Sequence, residues 1–216
     1  MEQPIPDRNR RYTVEEYLAL DGVSDVKYEY WDGMLIPHGG WETDANGRIV
    51  GMAGGTAAHS DVACNLIREL GNALKGTPCK VGDSDLRVRS PRSGRYHYPD
   101  VSVTCGPRQF DPPDTEVTLV NPRVLIEVLS PSTEATDRGD KFREYIAIAS
   151  LQEYVLASQD RPLVQTFRRS ADGEWAVGPW VEGLDASLAF PSLGVTVPLA
   201  EVYAGVVFPP AAEPSA

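Results

Sequence analysis

The alternation of apolar and polar positions divides the chain into short elements whose period changes along its length. YTVEEYLALDG carries a capping box, Thr13 with Glu16 three residues on, and a glycine stop at Gly22, which predicts a short helix. VKYEYWDGMLIP reads as two strand segments around an Asp-Gly turn at Asp32 and Gly33, with Glu29 as its polar exception. Residues 38–55 are Gly-rich and polar, longer than most connections, and are expected to form a flexible lid or loop. Their GMAGGT lacks the Lys-Ser/Thr ending of a phosphate-binding P-loop. In TAAHSDVACNLIRELGNALK the residues Val62, Leu66, Ile67, Leu70 and Leu74 share one helical face, with Thr56 available as N-cap. A lone histidine in that first turn, His59, is more often structural than a substrate contact.

Further along, CKVGDSDLRVRS and RYHYPDVSVTC alternate as strands joined by the turn-rich PRSGR, and a hairpin is the simplest reading. PRVLIEVLSPS is instead almost continuously apolar, the pattern of a strand buried on both faces. TEATDRGDKFREYIAIA then predicts a helix that stacks Asp137, Lys141 and Tyr145 along one face. LQEYVLAS supplies another strand, and RPLVQTFRR with EWAVGPW a hairpin around Asp172 and Gly173. The expected organisation is one domain over residues 1–208, with 209–216 a disordered tail.

Two carboxylates break these patterns. Asp100 opens an apolar strand although strands deplete aspartate, so it either ends a turn after Pro99 or has a chemical role. Glu127 lies between Ile126 and Val128, where an isolated carboxylate would cost several kcal/mol and therefore needs a partner. A salt bridge to Arg123 or Lys141 would satisfy it structurally. Alternatively, two carboxylates at neighbouring strand ends invite a divalent cation, and hard oxygen ligands point to Mg2+, with Mn2+ as substitute. Val128 is placed with Asp100 and Glu127 in that ligand set. Asp85 offers a third acidic ligand or is simply a strand-edge aspartate, and the pattern leaves both open. Lys141, on the helix that follows, could lean over the strand end to orient water and stabilise phosphoryl charge, and is otherwise a solvated helix residue. Tyr145 reads as a packing residue with a polar tip.

Composition narrows the setting. No apolar run approaches membrane-spanning length and no signal-like start is present, which places the chain in the cytoplasm as an expectation. Three widely spaced cysteines, Cys64, Cys79 and Cys105, match neither a disulfide framework nor a zinc spacing and read as free, buried thiols. A formal net charge of −11 argues against non-specific nucleic-acid binding, so any such role must rest on a few local cations such as Arg87, Arg89, Lys141 and Arg143.

At these residues the sequence resembles the PD-(D/E)XK nuclease superfamily, with Pro99-Asp100 as the PD pair and Glu127 as the next acidic residue. It is most similar to the Uma-two family of restriction-type endonucleases, in YPDVSV, YTVEEYLAL, YEYWDGML and, most specifically, VLIEVLSPSTEATDRGDKFREYIAIASLQEYVL. The superfamily pattern has Lys two residues after the acid, where Leu129 stands here; Lys141 fits the migrated position of the family's branch. The resemblance implies an α+β fold: a restriction-endonuclease-like core with a central mixed sheet of four or so strands flanked by helices, and added N- and C-terminal hairpins. It also implies a homodimer acting on nucleic acid, DNA first, as a Mg-dependent endonuclease with Asp100, Glu127 and Lys141 as its catalytic set. The alternative is a non-catalytic nuclease-fold module with a regulatory or nucleic-acid-associated role.

Overall fold

The computed structural model describes residues 6–24, 26–38, 41–43, 49–51, 55–111 and 116–208, the side chains of 41–43 and 49–51 excepted. Much of the Gly-rich segment 38–55 and the whole tail 209–216 therefore lie outside the described residues.

Helix α1 (Val14–Asp21) begins as its capping box dictates: Thr13 Oγ1 accepts the Glu16 N–H (3.2 Å) and the Glu16 carboxylate accepts the Thr13 N–H (2.9 Å). Strands β1 (Tyr28–Trp31) and β2 (Met34–Pro37) form the expected hairpin, with Asp32 and Gly33 at φ 50° and 88° as a two-residue turn with both central residues left-handed requires. A small ribbon, β3 (Trp41–Thr43) with β4 (Ile49–Gly51), follows. Thr56 caps α2 (Ala57–Ala73), whose Val62, Leu66 and Leu70 stripe, with Leu74 beyond, faces the core.

After α2 come β5 (Cys79–Gly82), β6 (Arg87–Arg89), β7 (Tyr96–His97), β8 (Val101–Cys105), β9 (Thr118–Leu119) and β10 (Val124–Leu129). The predicted hairpin here is shared between two sheets. β6 and β7 pair in a five-stranded sheet of order β2-β1-β7-β6-β9, whereas β5 and β8 pair in the larger sheet. That larger sheet runs β13-β12-β11-β10-β8-β5, and includes β11 (Glu153–Ser158), β12 (Leu163–Arg169), β13 (Trp175–Val177) and β14 (Val181–Glu182), the last on β12. It is mixed, because β10 runs parallel to β11 and antiparallel to β8. A hairpin of β15 (Ser187–Phe190) and β16 (Val195–Pro198) leads into a short terminal helix.

The continuous apolar run of β10 is explained by burial of all six residues. Val124, Ile126 and Val128 pack in the core beneath α2, while Leu125 and Leu129 pack on the opposite face with Tyr145, Tyr154 and Leu156. Glu127 shares the second face. The predicted single helix after Ser130 is instead three pieces: α3 (Glu134–Thr136), a π turn (Asp137–Lys141) containing Gly139, and α4 (Phe142–Tyr145). The Tyr154 hydroxyl donates to the Asp137 carbonyl (3.0 Å), satisfying a backbone group within the widened turn.

The expectation of three free, buried thiols fails. Antiparallel pairing sets Cys79 directly opposite Cys105, and their sulfurs are bonded; Cys64 is free and exposed. Strand register, which a separation of 26 residues conceals, brings the pair together. Among the described residues no helix is long and apolar enough to cross a membrane.

The two-faced burial of β10 has a measurable consequence. Ile126→Ala should cost about 2–5 kcal/mol in urea unfolding, since Ile126 is fully buried. Val177→Ala, at a position 64% exposed, should stay within about 0.5 kcal/mol of the parent.

Candidate functional site

Strand β8 pairs with β10 as far as Val101 opposite Ile126. One step beyond, where the ladder ends, Asp100 Oδ2 accepts the Val128 N–H (2.7 Å), so this aspartate takes over a backbone donor of β10. On its other side His59 Nε2, from the first turn of α2, lies 3.3 Å from the same oxygen. The histidine that the sequence favoured as structural is thus in contact with the candidate ligand.

Glu127 finds its partner in Lys141, whose Nζ donates to Oε1 (3.2 Å), and the Tyr145 hydroxyl donates to the same oxygen (2.9 Å). Arg123 is occupied elsewhere, donating to the Ser192 carbonyl (2.9 Å). The predicted stacking of Asp137, Lys141 and Tyr145 therefore converges on Glu127, although through a π turn. Lys141 Nζ is also 3.2 Å from Asp137 Oδ1 and 3.3 Å from Glu29 Oε1, so one buried ammonium serves three buried carboxylates.

Glu29 is the residue the sequence reading underused. Its carboxylate accepts the Trp31 Nε1–H (3.0 Å) and the Tyr98 N–H (3.3 Å), and His97 Nδ1 lies 3.3 Å away. The signal was present: a glutamate inside YEYW is as anomalous as one inside LIEVL. Asp85 stays apart. Its mostly exposed carboxylate pairs with Lys27 (2.5 Å), and among the described residues no contact joins it to Asp100 or Glu127. Val128 enters through its backbone N–H rather than its side chain. All four of the expected phosphate-binding cations are paired internally: Lys141 as above, Arg87 with Asp21 (2.5 Å), Arg89 with Asp111 and Arg143 with Asp140 (3.1 Å).

Electrostatics follow from one ammonium among several acids. Burial works to raise the Glu29 carboxyl, but Lys141 and the neighbouring His38 and His97 rings hold it well below the usual value. Burial drives the Glu127 carboxyl well above its usual value; Asp137, Asp100 and Glu29 add to this and Lys141 only partly offsets it. Burial would lower Lys141, yet Asp137, Glu127 and Glu29 keep it firmly protonated. At Asp100 burial is outweighed by the His59 contact and the Val128 N–H, so the carboxyl is lowered. At His59 burial is likewise outweighed by Asp100, and its value rises.

The donor set suits a hard divalent ion that keeps part of its hydration. Among the described residues no three His, Cys, Asp or Glu side chains form a ready-made metal cage. No hydrogen bond among the described residues reaches Asp100 Oδ1 or Glu127 Oε2, whereas Asp137 Oδ1 faces the Lys141 ammonium. Two carboxylates with an unengaged oxygen each, in a cluster richer in acid than in base, match Mg2+ binding by one or two carboxylates with water and phosphate completing the shell.

A family model described as "Uma2: Putative restriction endonuclease" matches residues 37–200. The "Uncharacterized protein slr1290" of Synechocystis sp. (strain PCC 6803) is 35% identical over 194 residues, covering 90% of this chain and 92% of its own length. The "Uncharacterized protein sll1609" of the same organism is 30% identical over 163 residues, covering 76% and 84%. Among solved structures, a crystal structure of "a putative nuclease belonging to DUF820 from Anabaena variabilis ATCC 29413" matches with a TM-score of 0.65 at 19% identity, over 90% of this chain and 99% of that one. At that identity the likeness concerns the fold. The α+β fold expected from the sequence, a restriction-endonuclease-like core around a mixed sheet, is the one observed, with the sheet wider than the four or so strands expected.

The two glutamates should respond to pH with opposite signs. The stability that Glu29 contributes through its lowered carboxyl is present above the unfolded value of about 4.3 and lost as pH falls through the folded one. Glu29→Gln should therefore be destabilised at pH 7, with the deficit shrinking in acid. Glu127, raised in the folded state, costs stability as pH rises above the unfolded value, so Glu127→Gln should be more stable than the parent at pH 7 in EDTA. Urea titrations between pH 4 and 8 measure both.

Proposed function

Because the chain belongs to the Uma2 family, we propose that it is a metal-dependent endonuclease hydrolysing nucleic-acid phosphodiester bonds through a metal-activated water. One observation carries this reading: where β8 and β10 part, Asp100 accepts the Val128 N–H, next in the chain to Glu127, whose carboxylate lies 3.2 Å from the Lys141 ammonium. Asp100 and Glu127 would hold Mg2+, or Mn2+ in its place, with the Val128 backbone beside them. When bound, the ion supplies Lewis acidity to the scissile phosphate and a more acidic water.

The remaining work falls to the chain's own groups. Lys141 is held charged by Glu29 and Asp137, and so presents a fixed ammonium where negative charge develops on phosphoryl oxygens, with no reorganisation at the moment of reaction. Tyr145 fixes one oxygen of Glu127 by donating to it, which leaves the other for a ligand. His59 and the Val128 N–H do the same for Asp100. Burial of the cluster excludes bulk water and strengthens each of these interactions. The family resemblance adds DNA as first substrate and a homodimeric assembly to the proposal.

A non-catalytic nuclease-fold module is the second reading, favoured by the net charge of −11 and by the internal use of Arg87 and Lys141. The two separate on one assay. Among labelled single-stranded, duplex and branched DNA at least one should be cleaved with Mn2+ or Mg2+ and not in EDTA, and Asp100→Asn or Glu127→Gln should lower the rate by about 10²–10³. Lys141→Arg, which keeps the charge but not the point geometry, should lower turnover while calorimetric Mn2+ affinity stays near that of the parent. Metal-independent nicking, or full activity in Asp100→Asn, would assign the chemistry elsewhere.

A further inference from the structure

A cavity beside this site has no part in the proposed chemistry. It encloses about 530 Å3, a volume in the range of small-molecule and nucleotide sites, and lies at the C-terminal ends of the parallel strands β10 and β11. Leu129 and Leu156 are among its lining residues. Leu129 follows Glu127 by two residues on the same sheet face, about 7 Å along the strand, and Leu156 is the register partner of Glu127. The π turn joins the two places a second time: Asp137 points to Lys141, and the next residue, Arg138, lines the cavity.

The walls have the chemistry of base recognition. Trp180 is 49% exposed, and Arg138 lies over its ring with Cζ 5.2 Å from the centroid. Arg138 is itself fixed, donating to Glu134 (2.7 Å) and to Gln165 (2.5 Å) of β12, so the tryptophan rests on a rigid support. Arg161 is exposed at the rim, and no ion pair reaches it among the described residues. Asp160 and Ser158 add a carboxylate and a hydroxyl, acceptors suited to the N–H edge of a base. The two arginines are balanced by Glu134 and Asp160, so charge alone attracts a polyanion weakly here. Stacking must supply the affinity.

We infer that this cavity is a subsite for one unpaired nucleotide, its base against Trp180 and its phosphate at Arg161, which makes the substrate class single-stranded or locally unpaired nucleic acid. A base inside a duplex has both faces stacked on its neighbours and cannot use this wall without being extruded. The inference rests on the nuclease reading for its connection to cleavage, but its binding term is measured separately.

The test is anisotropy of a labelled oligothymidylate in EDTA, against a hairpin duplex of equal length. The parent should bind the single strand at least about tenfold more tightly than the duplex, with a shallow salt slope near −0.7 for one phosphate contact. Trp180→Ala should lose about tenfold in affinity, Trp180→Phe should keep most of it, and Arg161→Ala should flatten the salt slope. Both altered residues are exposed at the rim, so the variants should fold like the parent, as urea unfolding would verify. Absence of single-strand binding, equal affinity for the duplex, or a Trp180→Ala variant that binds like the parent overturns the subsite. If cleavage with Mn2+ persists in that case, the nuclease reading survives alone. If binding depends on Trp180 and no substrate is cleaved, the subsite stands and hydrolysis fails.

Discussion

Lys141 holds together three carboxylates that arise from different parts of the fold: Glu29 on β1, Glu127 on β10 and Asp137 in the π turn. β1 belongs to the five-stranded sheet and β10 to the larger one, so the ammonium is also an ionic joint between sheets. Without it, three acids would face one another out of water, a situation that ordinarily costs about 3–5 kcal/mol when one partner of a buried pair is removed. With it, one positive charge still falls short of the acids around it, and burial together with those acids pushes the Glu127 carboxyl up. A cluster left short of positive charge is poorly suited to stability alone and well suited to receiving a cation.

The backbone supports that arrangement at each contact. β10 is buried on both faces, so Glu127 cannot escape to solvent and must be satisfied where it stands. The end of the β8 ladder frees the Val128 N–H for Asp100. A π turn in place of a regular helix sets Asp137 and Lys141 side by side on the strand, while Tyr154 occupies a carbonyl of that turn. The same sheet face continues from Glu127 past Leu129 into the cavity beside Trp180, so metal chemistry and base stacking would be neighbours on one rigid surface.

The strongly acidic composition gains a structural explanation. Arginines are largely committed to the chain's own acids: Arg87 to Asp21, Arg89 to Asp111, Arg95 to Asp32 and Arg138 to Glu134. Nucleic-acid affinity in such a protein must come from a few local groups, not from a broad basic field.

Local residues alone determined the capping box of α1, the Asp32-Gly33 turn, the apolar face of α2 and the buried character of β10, because each depends on spacing within a few residues. The need of Glu127 for a partner was also legible, since a charge in an apolar run is anomalous wherever the strand lies. Tertiary structure decided the rest. The division of β5 to β8 between two sheets and the bonding of Cys79 to Cys105 depend on strand register, which no local pattern carries. His59 and Glu29 join the site, and Asp85 does not, because distances between elements are set only when the layers pack. The π turn lies beyond sequence pattern for a related reason: its extra residue is stabilised by contacts to β1, β10 and β11, so the helix that local spacing favours gives way to one that only the assembled core makes preferable.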